Sequence, residues 1–264
     1  MSAKNRESSS EKAVALAKTD GEGLGISQLS YGTYQCPVEI KHEPLLISMT
    51  QHENLCIYRR DFNAAHFEKR LLSKSHSIII NPVEPVNLPR EIASHFIIML
   101  NSPLYVQPKI TETIYLTFPI EVAIIVVGHK NTEVLDIITL TKPKYTLYGS
   151  QKNGIICKYW RSDVFSSIPD CEPHLQGVLE LSINNTTGRW IKVTQVVFNA
   201  YGIKIYYDEE LVSMKATMKL LSKEMAETEF INAPLRDGMK KSVELYMLKK
   251  LTVSTTKMVM EEGI

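Results

Sequence analysis

The sequence lacks the motifs that mark the common nucleotide-binding and hydrolytic sites. It contains no GxGxxG fingerprint, no P-loop and no GxSxG nucleophile elbow. Gly21, Gly23 and Gly25 alternate, but no strand pattern precedes them and no helix pattern follows. The sequence therefore predicts neither a dinucleotide cofactor nor a serine nucleophile of that type.

Metal-ligand spacing is also missing. The seven histidines show no HxH, HxxxH or HExxH arrangement. His52 and Glu53 form only half of a zincin signature, because no second histidine follows at the required distance. We predict no metal site, with a centre assembled from distant residues such as His42, His52 and Glu53 as the open alternative.

Cysteine is scarce and the charge is nearly balanced. The four cysteines, Cys36, Cys56, Cys157 and Cys171, match neither paired zinc knuckles nor a redox CxxC. Thirty basic residues face 29 acidic ones, so the chain lacks the basic footprint that nucleic-acid binding requires. We expect free thiols in a reducing compartment and no nucleic-acid partner.

No apolar run is long enough for a membrane span. Residues 13–17 are too short for a secretory signal, and residues 114–127 are interrupted by Pro119 and Glu121. Hydrophobic residues make up 44% of the chain and charged residues 22%, which is typical of a folded globule. We predict no membrane insertion and a cytoplasmic location.

Short apolar runs separated by proline, glycine and asparagine dominate from Tyr31 onward, and this pattern is typical of strands and turns. The predicted strands are 45–49, 55–59, 77–80, 96–100, 114–118, 122–127, 177–184, 190–198, 203–207 and 213–221. We predict a mainly β fold of two antiparallel sandwich-like parts with minor helix.

Two local predictions are more detailed. Residues 177–184 and 190–198 are expected to pair as a hairpin, with Gly188 supplying a positive φ in the turn between them. Helical spacing is weak, with residues 61–73 loosely helical and residues 240–251 either a helix or a final strand.

The chain also divides by composition. Residues 1–25 are polar and serine-containing, and they predict a flexible leader. Prolines interrupt the apolar pattern at 168–176, which suits a connection between two parts. We predict an N-terminal β-rich domain at 26–170 and a C-terminal β-sandwich-like part at 171–264.

Four short blocks stand together along the chain. They are Tyr31-Gly32, Asn81-Pro82-Val83-Glu84-Pro85-Val86, Phe118-Pro119-Ile120-Glu121 and Lys142-Pro143-Lys144-Tyr145-Thr146-Leu147-Tyr148-Gly149. In this order and spacing the chain, from about residue 30 to its end, resembles the archaeal domain of unknown function family 432. The resemblance implies an archaeal, cytoplasmic protein, and it brings no activity, cofactor or catalytic residue with it.

The largest concentration of binding-capable side chains follows the last block. Residues 144–149 alternate, and a turn at Asn153-Gly154 brings a second strand back beside them. We predict a binding surface, called here the basic-aromatic face, formed by Lys144, Tyr148, Lys158, Tyr159 and Arg161. The alternative is ordinary cross-strand pairing that only stabilises a sheet.

Two carboxylates could add chemistry. Glu121 is embedded in apolar sequence and would need a cationic or hydrogen-bonding partner if buried, whereas Glu84 lies in a stiff proline-rich loop. The leading hypothesis is a non-catalytic module that binds a small anionic ligand or a protein partner. The alternatives are an enzyme acting on a small anionic substrate with Glu84 or Glu121 as acid or base, and a subunit that forms homo-oligomers through a sheet edge.

Overall fold

Alternation of buried and exposed side chains along short strands builds this fold. The computed structural model describes residues 26–72, 77–88, 93–127, 132–245 and 257–259, so the predicted leader at 1–25 lies outside the described residues. A 3-10 turn at Ala200–Gly202 is the only helical element in these ranges. The mainly β prediction is confirmed.

The strands follow one another with short connections. They are β1 (Ile26–Gln28), β2 (Gly32–Gln35), β3 (Val38–His42), β4 (Leu45–His52), β5 (Leu55–Phe62), β6 (Ala65–Leu72), β7 (Ser77–Val83), β8 (His95–Val106), β9 (Thr111–Pro119), β10 (Glu121–Val127), β11 (Thr132–Ile138), β12 (Tyr145–Tyr148), β13 (Ile155–Ser162), β14 (Gln176–Asn185), β15 (Ile191–Asn199), β16 (Tyr206–Tyr207), β17 (Val212–Leu220), β18 (Met225–Ile231), β19 (Lys240–Lys241) and β20 (Lys257–Val259).

These strands form four sheets. Sheet A has the order β1-β3-β4-β5-β6, sheet B the order β11-β10-β7-β2, and sheet C the order β12-β13-β8-β15. Sheet D has the order β19-β16-β17-β14-β9, with β18 on β17 and β20 on β18. Most pairs are antiparallel, while β1–β3, β8–β13 and β14–β17 are parallel.

The burial pattern shows how the sheets pack. In β4, the buried residues Leu45, Ile47 and Met49 alternate with half-buried ones, as expected for a sheet with one covered face. In β10, by contrast, residues 121–126 are all buried, so both faces of this strand are covered. Sheet B therefore contributes interior strands to the molecule.

One continuous hydrophobic cluster joins the four sheets. It contains Ile47 of sheet A, Ile124 of sheet B, Ile98 of sheet C and Leu181 of sheet D. The β8–β15 and β9–β14 pairs also join strands from either side of the predicted boundary at 170/171. The division into two parts stays a prediction.

The predicted connection at 168–176 packs against the N-terminal sheets. The Tyr31 hydroxyl donates a hydrogen bond of 2.8 Å to the carbonyl oxygen of Pro173. The His174 ring lies 5.2 Å from the ring of His42 in β3 and 5.0 Å from that of Tyr31, measured between ring centres. This segment is therefore anchored to the strands that begin the fold.

The predicted hairpin of 177–184 with 190–198 is wrong, because β14 pairs with β9 and β17 while β15 pairs with β8. The buried Asn185 side chain explains the crossing from sheet D to sheet C, since its Nδ2 lies 2.9–3.0 Å from three backbone carbonyl oxygens. Those oxygens belong to Val106, Gln107 and Arg189. Gly188 does not have the positive φ that a hairpin turn would need.

The predicted helix at 61–73 is also wrong over its described part. Residues 61–72 form the end of β5, a tight turn and β6, with Phe62 paired to Ala65. Asn63 and Ala64 have φ angles of 48° and 64°, the left-handed values that a type I′ hairpin turn requires at both central positions. For the other ambiguous segment, Lys240–Lys241 is a strand and 246–251 lies outside the described residues.

The Asn63-Ala64 turn generates a stability prediction. We expect Ala64→Gly to raise the free energy of unfolding by about 0.5 to 1 kcal/mol, because left-handed backbone strains alanine more than the added chain entropy of glycine costs. The matched control Ala65→Gly, one residue later in β6, should lower it. Urea denaturation of both variants measures the effect, and a loss of stability in Ala64→Gly would contradict it.

Candidate functional site

A buried ion pair joins sheets B and C. Lys158 Nζ of β13 donates to Glu121 Oε1 at the start of β10, at 3.0 Å, and the two side chains are only 3% and 1% exposed. Unpaired charges at this depth would be very costly, so each residue depends on the other. Glu121 thus has the cationic partner that its apolar sequence context required.

Strand alternation directs Lys158 inward. Lys158, Trp160 and Ser162 lie on the same face of β13 because side chains two residues apart share a face. Trp160 Nε1 donates to Thr117 Oγ1 at 3.1 Å, and the Thr117 backbone N–H donates to Ser162 Oγ at 2.8 Å. The inner face of β13 therefore packs on β9 through polar contacts.

The segment after β7 completes the surroundings of the ion pair. The backbone N–H of Asn87 donates to Glu121 Oε2 at 2.9 Å. The carbonyl oxygen of Leu88 accepts from Lys158 Nζ at 3.2 Å and from the Tyr145 hydroxyl at 2.6 Å. Lys158 Nζ also lies 5.5 Å from the centre of the Tyr145 ring. Both charges are thus satisfied by several groups.

The other candidate carboxylate, Glu84, is also buried, at 2% exposure. Its Oε2 accepts from Asn87 Nδ2 at 3.3 Å and from the backbone N–H of Leu245 at 3.4 Å. Asn87 Oδ1 has no hydrogen-bond partner among the described residues. We call Glu84, Asn87, Glu121 and Lys158 the carboxylate cluster.

Burial controls the protonation of Glu121. Loss of hydration raises the pKa of Glu121 to about 7, against the opposing effects of the Lys158 charge and of backbone hydrogen bonds. A near-neutral pKa suits an acid or base, but a catalytic group must also reach a substrate. Because both carboxylate oxygens of Glu121 are hydrogen-bonded and the side chain is 1% exposed, the arrangement favours a structural junction.

The predicted β12–β13 hairpin is present, with Tyr145 opposite Lys158 and Tyr148 opposite Ile155. The basic-aromatic face is not continuous, however. Lys158 points inward, whereas the neighbouring Tyr159 and the exposed Arg161 lie on the opposite face of β13, since adjacent residues of a strand alternate.

The four remaining residues of that face lie at or near the surface. Arg161 Nε donates to the Tyr159 hydroxyl at 2.6 Å, and the carbonyl oxygen of the exposed Lys144 accepts from the Tyr159 backbone N–H at 2.9 Å. Tyr148 is half-buried and packs against an outer apolar cluster that contains Cys157. These four residues stay a predicted binding surface.

The sequence did not indicate a cavity of about 510 Å³ at one end of sheets C and D. It is lined by Leu104, Tyr105, Val106, Gln107, Ile110, Glu112, Thr113, Ile114, Val164, Phe165, Ser166, Ile183 and Trp190. Trp190 is 62% exposed. The one sequence signal that could have suggested a site here is a tryptophan, Trp190, at the start of the predicted strand 190–198.

Comparison with known proteins identifies the family. Residues 30–261 match the family described as Protein of unknown function (DUF432). The chain belongs to this family. The DUF432 resemblance drawn from the four motif blocks is thereby confirmed. No curated protein and no solved structure matches the chain.

Several general site types can be assessed in this DUF432 chain. Within the described ranges, no group of three His, Cys, Asp or Glu residues could hold a metal, and no helix there is long and apolar enough to cross a membrane. All four cysteines are free. Burial raises the pKa of Cys36 to about 11 and that of Cys157 to about 12, which makes both thiols poor nucleophiles near neutral pH.

The raised pKa of Glu121 predicts a pH effect on stability. In the native state its pKa is about 7, above its ordinary value of 4.5, so the native state binds the proton more tightly. The stabilisation from this group is full below pH 4.5 and is lost as the pH rises through 7.

We expect Glu121→Gln to remove this component. The difference in unfolding free energy between the native protein and the variant should change steadily between pH 4.5 and 7 and flatten outside this window. Urea denaturation across pH measures it. A constant difference throughout the window would show that Glu121 has an ordinary pKa.

Proposed function

We propose that this protein is a non-catalytic binding module that takes a small, largely apolar molecule into the cavity between sheets C and D. The observation that carries the proposal is the cavity itself, whose volume of about 510 Å³ falls in the range of small-molecule sites, roughly 300 to 1,000 Å³. Its lining is mainly aliphatic and aromatic, with few polar side chains. Such a lining binds apolar groups by removing them from water.

The strands explain why the interior opens at this place. β8 belongs to sheet C and β9 to sheet D, and residues 107–110 connect them across the gap between the sheets. Leu104 and Val106 at the end of β8 face Ile114 of β9 and Ile183 of β14 around the cavity. The cavity is therefore an extension of the hydrophobic core that reaches the surface.

The enzyme alternative has less support. Glu84 and Glu121 are 2% and 1% exposed, and each already accepts hydrogen bonds from other residues. Neither residue lines the cavity. To act as an acid or base on a small anionic substrate, either carboxyl group would first have to break these hydrogen bonds.

The predicted anionic-ligand surface remains a separate proposal. Without Lys158, it retains the exposed cations Lys144 and Arg161 beside Tyr148 and Tyr159. It has no enclosing walls among these residues, so a protein partner or a weakly held anion fits it better than a buried ligand.

We also propose that the protein is archaeal in origin and cytoplasmic in location, as the family resemblance implies. Four free thiols in one chain support a reducing compartment. Homo-oligomerisation through a sheet edge would involve a strand such as β6, the edge of sheet A. That strand carries Glu68, Lys69 and Arg70, and such charges discourage pairing with a second copy.

Ligand binding can be measured through Trp190. In the background Trp160→Phe, Trp190 is the only tryptophan left. We expect titration with 4-phenylbutan-1-ol to change its fluorescence saturably, with a dissociation constant on the order of 1 mM or lower. Ser166→Phe should obstruct the cavity and weaken this response.

The matched control is Ser167→Phe, since Ser167 is the neighbouring exposed residue and does not line the cavity. It should bind normally, as should the double variant Lys144→Glu/Arg161→Glu. No saturable response, or a response lost only in the charge-reversal variant, would overturn the cavity as the site.

A further inference from the structure

One residue of the cavity breaks the pattern of its strand. In β9, side chains at 112, 114 and 116 share a face, and Ile114 and Leu116 face the hydrophobic core. Glu112 is the next member of this row and pairs with Ile183, which also lines the cavity. Glu112 is exposed near the start of β9, so a carboxylate continues the row of Ile114 and Leu116 where that row reaches the surface.

Glu112 is also the only charged residue that lines the cavity. Its carboxylate forms no hydrogen bond or ion pair with another described residue, unlike the carboxylates of Glu84 and Glu121. No lysine or arginine is present in the lining to neutralise it. The cavity therefore combines apolar walls with one negative charge that is available to a ligand.

Trp190 is a second residue of the cavity that can attract a positively charged ligand. It lines the cavity, and its side chain is largely exposed. Indole rings attract organic cations through the negative face of the ring, and carboxylates attract them by charge. Anionic head groups would instead be repelled by Glu112.

We propose that Glu112 makes the cavity selective for amphiphilic organic cations, meaning a primary or quaternary ammonium group on an apolar body. The ammonium pairs with the Glu112 carboxylate at the mouth, and the apolar body lies against residues such as Leu104 and Ile114. This inference rests on the proposed function, because it assigns the ligand class of the same cavity.

A competing explanation exists for Glu112. β9 is the edge of sheet D, and a charged side chain on an edge strand discourages association with another copy. On that explanation Glu112→Gln would alter self-association without altering which ligands the cavity prefers. The test therefore includes the association state.

The experiment uses three ligands with one apolar body and different head charges: 4-phenylbutylamine, 4-phenylbutan-1-ol and 4-phenylbutyrate. Binding to the full chain is followed at pH 7.5 by Trp190 fluorescence and isothermal calorimetry. We expect the amine to bind about fivefold more tightly than the alcohol, and the acid to bind most weakly. Added salt should weaken the binding of the amine more than that of the alcohol.

Glu112→Gln should bring the amine to within about twofold of the alcohol, while the control Glu133→Gln, an exposed carboxylate on β11, keeps the preference. Failure of all three ligands to bind would overturn the proposed function. Binding of all three with equal affinity, or an amine preference that survives Glu112→Gln, would overturn the cation selectivity and leave the proposed function standing. Self-association of Glu112→Gln in size-exclusion chromatography with unchanged ligand preference would assign Glu112 to edge protection instead.

Discussion

The ion pair between Lys158 and Glu121 is the constraint on which the arrangement of sheets B and C depends. Two charges at 3% and 1% exposure lose their hydration, and their mutual attraction compensates only when the remaining donors and acceptors are also satisfied. Asn87 and Leu88 supply those bonds from the segment after β7. The ion pair therefore fixes sheets B and C and the segment after β7 in one relative arrangement.

The same geometry has consequences at the far end of sheet C. Lys158 is the register partner of Phe96, near the start of β8, while the cavity surrounds the end of that strand at Leu104 and Val106. Phe198 of β15 pairs with Phe96, whereas Val193 and Ile191 pair with Leu104 and Val106, so at about 3.3 Å per residue of β15 the junction and the cavity lie roughly 20 Å apart. A strand held firmly at one end can thus form the wall of an open site at the other, with stability and binding served by different residues.

Local patterns in the sequence were enough to predict most strands and the β12–β13 hairpin, because alternation and turn residues act over a few positions. They also indicated that Glu121 would need a partner. They could not reveal that the partner was Lys158, since that contact depends on how β10 and β13 meet in space. Placing Lys158 beside Tyr159 on one face overlooked that adjacent strand residues point to opposite sides.

The remaining errors share a non-local cause. Residues 177–198 contain two strands with a polar segment between them. Their pairing with β9, β17 and β8 and the hydrogen bonds of Asn185 to distant carbonyl groups place them in different sheets. The cavity likewise depends on the spacing between sheets C and D, so its key residue Glu112 looks like an ordinary exposed charge in the sequence.

A double-mutant cycle on the ion pair tests this account most directly. At pH 8, Lys158→Met should lower the free energy of unfolding by about 3 kcal/mol or more, because the buried Glu121 carboxyl must then either keep an unpaired charge or take up a proton from a solution that holds few. The double variant Lys158→Met/Glu121→Leu should recover most of that loss, which would give a large coupling energy by urea denaturation. The claim that this pair organises the fold would be contradicted if the stability changes of Lys158→Met and Glu121→Leu simply added in the double variant. It would also be contradicted if either single variant were nearly as stable as the native protein.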